Sequence, residues 1–206
     1  MKRLVATLAL GLTISQLATA MQPPYSGTKD MSSIRPVMPA ILPVDTRCTL
    51  SLGSGVIDYG SQSRWQLQNA STAFNSLTFG KRTLPLGVVC PYTQHMRLTL
   101  RGERGPNGNL LFGKRGNLTI RIFDAQMDGS SVRLAQTSSD GILSAAITDS
   151  LTLQPGQSFA PITNGNLAQG KVFTANLEIE PVLPEAEARV SAHQTSQATI
   201  TLELMN

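Results

Sequence analysis

An all-β sandwich is the fold the sequence predicts, on three observations. Apolar residues recur at every second position over several short runs, Gly, Asn, Asp and Pro separate those runs, and no stretch forms a long amphipathic helix. A segment with that alternation buries one face and solvates the other, so two sheets must cover each other's apolar faces.

The chain begins with Met1-Lys2-Arg3, a mostly apolar run from Leu4 to Leu17, and the small-x-small triplet Ala18-Thr19-Ala20. A basic start, an apolar middle and a small-residue cleavage site predict a secretory signal peptide over 1–20. The apolar run is shorter than the roughly 20 residues that span a bilayer, and no second run of its length follows, so no transmembrane segment is expected. Removing the first 20 of 206 residues leaves 186, enough to bury a sizeable core in one domain. The formal charge of +4 falls to +2 once Lys2 and Arg3 are removed. So small an excess predicts no polyanion and no nucleic acid as partner.

From 21 to 36 the chain is polar, with Pro23, Pro24, Gly27, Ser32 and Ser33, and is expected to be a flexible arm. The domain proper is expected over 37–206. Its first apolar segment, Val37 to Leu42, contains Pro39, which limits it to an edge strand or an irregular stretch.

The only two cysteines, Cys48 and Cys90, both lie on the apolar side of a period-2 pattern. Leu50 and Leu52 alternate with Thr49 and Ser51 after the first; Leu84, Leu86 and Val88 alternate with Pro85 and Gly87 before the second. Where such faces meet in one core, on paired or on packed strands, a bridge closes without bending either strand. Export to an oxidising space lets it persist, so a structural disulfide is predicted. In the chain-entropy account, closing a loop of about forty residues contributes on the order of 4 kcal/mol.

Further strands are expected at Val56 to Tyr59, around Met96, Leu98 and Leu100, and around Leu118, Ile120 and Ile122. Asp128-Gly129 marks a turn before a short strand at Val132 to Leu134. Ser150 to Leu153 is stopped by Pro155-Gly156; Phe173, Ala175, Leu177 and Ile179 follow, then Ala198, Ile200, Leu202 and Leu204. The one helical candidate, Pro184 to Val190, is too short to alter the class.

Chemistry-bearing residues are sparse. His95 and His193 have no metal-ligand spacing with each other or with acidic groups, and no serine sits in a Gly-x-Ser-x-Gly turn. The expectation is a non-enzymatic protein with no catalytic residue, no metal and no cofactor. Arg101, Arg104, Lys114 and Arg115 stand beside glycines, and a solvated hairpin turning at Pro106-Asn107-Gly108 explains them better than a polyanion surface. Trp65, the single tryptophan, lies among Gln66 and Gln68 in a polar stretch. It is either filler at the core rim or a ligand contact that stacks on a sugar ring.

The last segment carries the strongest functional hint. Ala198, Ile200, Leu202 and Leu204 point one way and Thr199, Thr201 and Glu203 the other, so the segment must be tied into a sheet. It is an ordinary closing strand or one whose free edge is completed by a strand from another chain.

The order of these features resembles a fimbrial (pilin-like) subunit of the chaperone-usher type: signal peptide, polar arm, Cys48, the stretch Gly55 to Gly60, Cys90, and alternating apolars from Ala198 to Leu204. More closely, the chain is similar to a group of secreted fimbrial-like proteins of Gram-negative bacteria. That likeness includes Phe112-Gly113, Asp128-Gly129 and Leu153-Gln154-Pro155-Gly156, and covers most of the chain after the signal. It implies an immunoglobulin-like sandwich lacking its final strand, exported through the periplasm to a surface fimbria. A periplasmic chaperone would lend the missing strand, and after passage through an outer-membrane usher the arm of the next fimbrial subunit would replace it. On this reading 21–36 is a candidate donor strand, and Ala198, Ile200, Leu202 and Leu204 border the groove that receives one. The alternative function is a self-contained secreted carbohydrate-binding adhesin module, with a surface glycan as partner and Trp65 at the contact.

Overall fold

Uninterrupted alternation produces long strands here, and each glycine or proline cluster ends one. The computed structural model of the chain describes residues 47–71, 74–138, 140–189 and 192–205, all within the unit Pro43–Asn206. In chain order the strands are β1 (Thr49–Leu52), β2 (Gln68–Asn69), β3 (Ser76–Thr78), β4 (Arg82–His95), β5 (Arg97–Gly102), β6 (Leu110–Phe112), β7 (Gly116–Met127), β8 (Ser130–Ser131), β9 (Arg133–Thr137), β10 (Leu151–Leu153), β11 (Ser158–Thr163), β12 (Asn166–Leu167), β13 (Gln169–Pro184) and β14 (Ile200–Met205). The signal peptide, the arm over 21–36 and the segment Val37 to Leu42 lie outside the described residues.

All pairings are antiparallel, and they form two sheets. In the larger one, β1 pairs with β4, β4 with β13, and β13 with β7; β6, β8 and β10 pair along the far side of β7. Strand β3 continues the line of β4 beside the end of β13, setting Thr78 against Val182, and β2 pairs outside it. The smaller sheet runs β14, β5, β11, β9, with β12 also paired to β11. An all-β sandwich with one disulfide is therefore the observed class.

The core lies where the inward positions of both sheets meet. Phe173, Ala175, Leu177 and Ile179 come from β13; Leu86, Val88 and Cys90 from β4; Leu118, Ile120 and Ile122 from β7. The smaller sheet contributes Leu98 and Leu100, Leu134 and Phe159. Each large aliphatic or aromatic side chain so buried is worth about 1.5–3 kcal/mol, which dominates the stability of a fold with one crosslink.

Two chain passages fix how the sheets are stacked. Strand β4 becomes β5 through Met96 alone, and β7 reaches β9 through the two-residue strand β8. Strands β4 and β5 therefore lie over one another near one flank, and β7 and β9 near the opposite flank. Outside the first pair stand β1 in the larger sheet and β14 in the smaller, so both border the same flank. Leu50 and Leu52 of β1 and Ile200 and Leu204 of β14 all pack, half-buried, against the core.

Several expectations are corrected. Val56 to Tyr59 forms no strand: it belongs to the loop that follows β1, with Val56 exposed and Tyr59 anchored to Ile179. Asp58 Oδ1 accepts from the Gly60 N–H at 2.7 Å, and Gly60 has φ +70°, so an Asx turn replaces the ladder the apolar pair suggested. The strand expected at Val132 to Leu134 instead runs from Arg133 to Thr137. The helical candidate from Pro184 is a 3-10 turn over Glu185–Ala188. The final strand starts at Ile200, which leaves Ala198 exposed and outside it.

Candidate assembly edge

β-Strand β14 pairs on one side only. Its register on β5 sets Ile200 against Gly102, Leu202 against Leu100 and Leu204 against Leu98, so these three side chains face the core, and Leu202 is the most buried at 9% exposure. Thr201 and Glu203 face outward, where Arg101 Nε donates to Glu203 Oε2 at 2.9 Å. At Gly102 an added Cβ would run into Leu110 Cδ2, so a larger residue would have to displace that buried leucine. Among the described residues, no strand pairs with the other edge of β14.

Across the flank, β1 forms the second lip. Among the described residues it pairs with β4 alone, from Thr49 opposite Val89 to Leu52 opposite Leu86. One residue further back, the same register sets Cys48 opposite Cys90. The two are bridged, with Cα atoms 4.2 Å apart. The disulfide thus joins directly opposed residues of neighbouring strands within one sheet, rather than linking the two sheets. Gln94 Nε2 donates to both sulfurs, to Cys90 Sγ at 3.0 Å. Cys90 also stands where the pairing of β4 with β13 lapses, since Val89 opposes Val172 and the next paired residue on β4 is Gln94, opposite Gly170. The bridge therefore holds β1 at the point where β4 loses its other neighbour.

The loop after β1 is tied to the interior strand β13. Tyr59 Oη donates to the Ile179 carbonyl at 3.0 Å, and its ring meets Phe79 edge-on at 6.2 Å. Burial pushes the Tyr59 phenol up to about 12; Arg82 opposes this and Glu180 adds to it. Nearby, burial alone would raise the Glu178 carboxyl, but hydrogen bonds from Arg121 at 3.3 Å and Lys81 at 3.2 Å outweigh it and hold the group below its ordinary value.

The other predicted residues stand apart from this edge. Trp65 lies in a 3-10 turn, Arg64–Gln66, 87% exposed, with the Arg64 guanidinium 5.3 Å from the ring centre. His95 Nδ1 is 3.2 Å from the Ala168 carbonyl, and His193 Nε2 is 3.4 Å from Ser61 Oγ. The basic hairpin turns as expected, Gly108 N–H donating to the Gly105 carbonyl at 2.9 Å, and its cations disperse. Arg104 donates to the Pro155 carbonyl, and Arg115 pairs with Glu187 at 3.1 Å. Sequence reasoning located β14 but missed β1 as its counterpart. The alternation of Leu50 and Leu52 was visible, yet only the stacking of the sheets shows which flank it borders.

No family model matches the chain, and no curated protein matches it. Among solved structures it is similar to the P pilus rod subunit PapA, at 16% identity, covering 76% of this chain and 96% of that chain, with a TM-score of 0.30. A likeness of that degree carries no argument, and the fold rests on the strand pairing described above.

Proposed function

We propose that this protein is a non-enzymatic structural or minor subunit of a surface fimbria, completed by a strand that another chain donates. One observation carries the reading: β1 and β14 border a single flank, no strand among the described residues pairs with their outer edges, and apolar side chains stand half-buried between them. A row of free N–H and C=O groups beside uncovered apolar surface is a template for an added strand. An inserted strand with apolar residues at alternate positions would pair with β14 and cover Ile200, Leu202 and Leu204. A periplasmic chaperone would supply it first, and the arm of a neighbouring subunit, delivered at the outer-membrane usher, would replace it. The arm at 21–36 is the donor on this reading, and the signal peptide at 1–20 directs export.

The disulfide fits this role by fastening one lip of the flank before the sandwich is complete. Its entropic effect, about 4 kcal/mol, acts on the lone chain.

The test is crosslinking from the edge. Thr201 points outward from β14, so a Thr201→Cys protein alkylated on that sulfur with a photoreactive crosslinker and mixed with its neighbouring fimbrial components should form covalent adducts with a strand of another chain on illumination, and hydrogen exchange at Ile200–Met205 should slow on assembly. A chain that stays a stable monomer, forms no adduct and shows unchanged exchange in the presence of those components overturns the proposal.

A further inference from the structure

The outer face of the larger sheet, away from the core, carries a cleft of about 720 Å³. That lies within the roughly 300–1,000 Å³ of ligand sites. Its floor is a cross-strand row on five adjacent strands: Ser51 opposes Gly87, Gly87 opposes Thr174, Thr174 opposes Gln126, and Gln126 opposes Ser131. The row dips at its second position because Gly87 has no side chain.

A β-bulge shapes the wall. The pairing of β13 with β7 shifts by one between Thr174 and Asn176, and the extra residue on β7, Asp124, takes φ +53° in mid-strand. A non-glycine residue in that conformation inside a strand costs energy, although aspartate tolerates it better than most. Bulges of this type re-aim a side chain. Here the consequence is an exposed carboxylate on the cleft, where Asn176 Nδ2 donates to Asp124 Oδ2 at 3.3 Å.

The lining chooses the ligand class. Hydroxyls, primary amides and the carboxylates of Asp124 and Asp149 line the cleft, and no Lys or Arg does. The cation beside the cleft, Arg133, is already paired with Asp149 at 3.2 Å, so an anionic ligand would meet carboxylates there, whereas the adjacent hydroxyls of a sugar match amides that both donate and accept and the Asp124 carboxylate that accepts. The next row supplies an apolar platform: Val89 and Val172 are direct cross-strand partners, 54% and 37% exposed. A pyranose has the same division, with polar edges around an apolar ring face.

We propose that this outer face binds a neutral saccharide, with Asp124, Asn176, Thr174 and Gln126 on its hydroxyls and Val89 and Val172 under its ring. The site shares β1 with the assembly edge through Ser51, stands apart from Trp65, and does not depend on the fimbrial reading.

The exported protein should be applied to an array of neutral, sialylated and sulfated oligosaccharides, and the neutral hit titrated in solution. Gly87→Val fills the floor from the solvent side and Asp124→Asn removes the charge while keeping a residue that tolerates positive φ. Each should weaken binding about ten-fold or more; Asp124→Asn should keep the unfolding midpoint, whereas Gly87→Val requires the Ser51 hydroxyl, 3.0 Å from the new Cβ, to turn aside. Should Gly87→Val fail to fold, Thr174→Arg blocks the same floor from an exposed position. Trp65→Ala should bind as the parent does. Binding to acidic glycans only, no neutral glycan bound, or full affinity in the folded floor variants would overturn the assignment.

Discussion

The two flanks of the sandwich treat the same hazard in opposite ways. On the flank beyond β7 and β9, the outer edge of β7 is covered by three pieces of two or three residues, β6, β8 and β10. Residues 140–149 fold back there through Leu134 opposite Thr148 and Thr137 opposite Leu143. Arg133 pairs with Asp149 at 3.2 Å on the same margin. Short strands, turns and charges are how soluble proteins blunt an edge. On the flank of β1 and β14 the longer strand is left regular. Strand β14 runs six residues without a proline or a register shift, and its one charge, Glu203, is engaged by Arg101. Among the described residues, then, one margin is covered and the other is left regular, and the proposed strand addition would use that difference.

The largest test of this contrast compares leucines inside each flank. Leu134→Ala, at a fully buried position of β9, should cost about 3–5 kcal/mol, while Leu202→Ala should cost the isolated chain about 2 kcal/mol because its site is less enclosed. Urea unfolding measures both. Supplying a donated strand should raise the cost of Leu202→Ala and leave that of Leu134→Ala unchanged; equal costs in both states would remove the distinction.

The disulfide sharpens the contrast from the other lip. Replacing both Cys48 and Cys90 by Ser should destabilise the lone chain by about 4 kcal/mol, read as a lower urea midpoint, and should leave the hairpins of the closed flank protected in hydrogen exchange. Loss of protection first around Leu134 would show that the bridge supports the wrong margin.

The smallest effects are electrostatic. The Tyr59 phenol is raised in the folded state, so its contribution is full below the unfolded value of about 10 and is lost as pH rises through about 12. Ultraviolet titration should show one tyrosine ionising last, and Tyr59→Phe should abolish that step. Glu178 works at the other end: its carboxyl is lowered on folding, so the stability it adds is present above about 4.3 and lost on acidification below that. Glu178→Gln should flatten the acid limb of the stability curve.

Much of this was legible in local pattern. Leu86, Val88 and Cys90 on one face of β4, and Phe173, Ala175, Leu177 and Ile179 on one face of β13, are buried as the period-2 reading requires. Side-chain direction in a strand is fixed by backbone geometry within a few residues, so the sequence alone decides it. The same rule failed at Val56 to Tyr59, where the alternation is too short to compete with an Asx turn and a tyrosine anchored 120 residues away. It also overran at Ala198, because Ile200 opposes Gly102, the last residue of β5, and pairing stops there.

By itself, then, the sequence determined the class, the inward faces, the cysteine pair and the terminal strand, all written in nearest-neighbour alternation and turn residues. Only the tertiary structure decided that the bridge lies within one sheet, that β1 faces β14 across one flank, and that Asp124 and Gly87 shape a cleft together. These depend on which distant segments pair and in what register. Many pairings satisfy the same alternation, and the packing of the whole core selects among them.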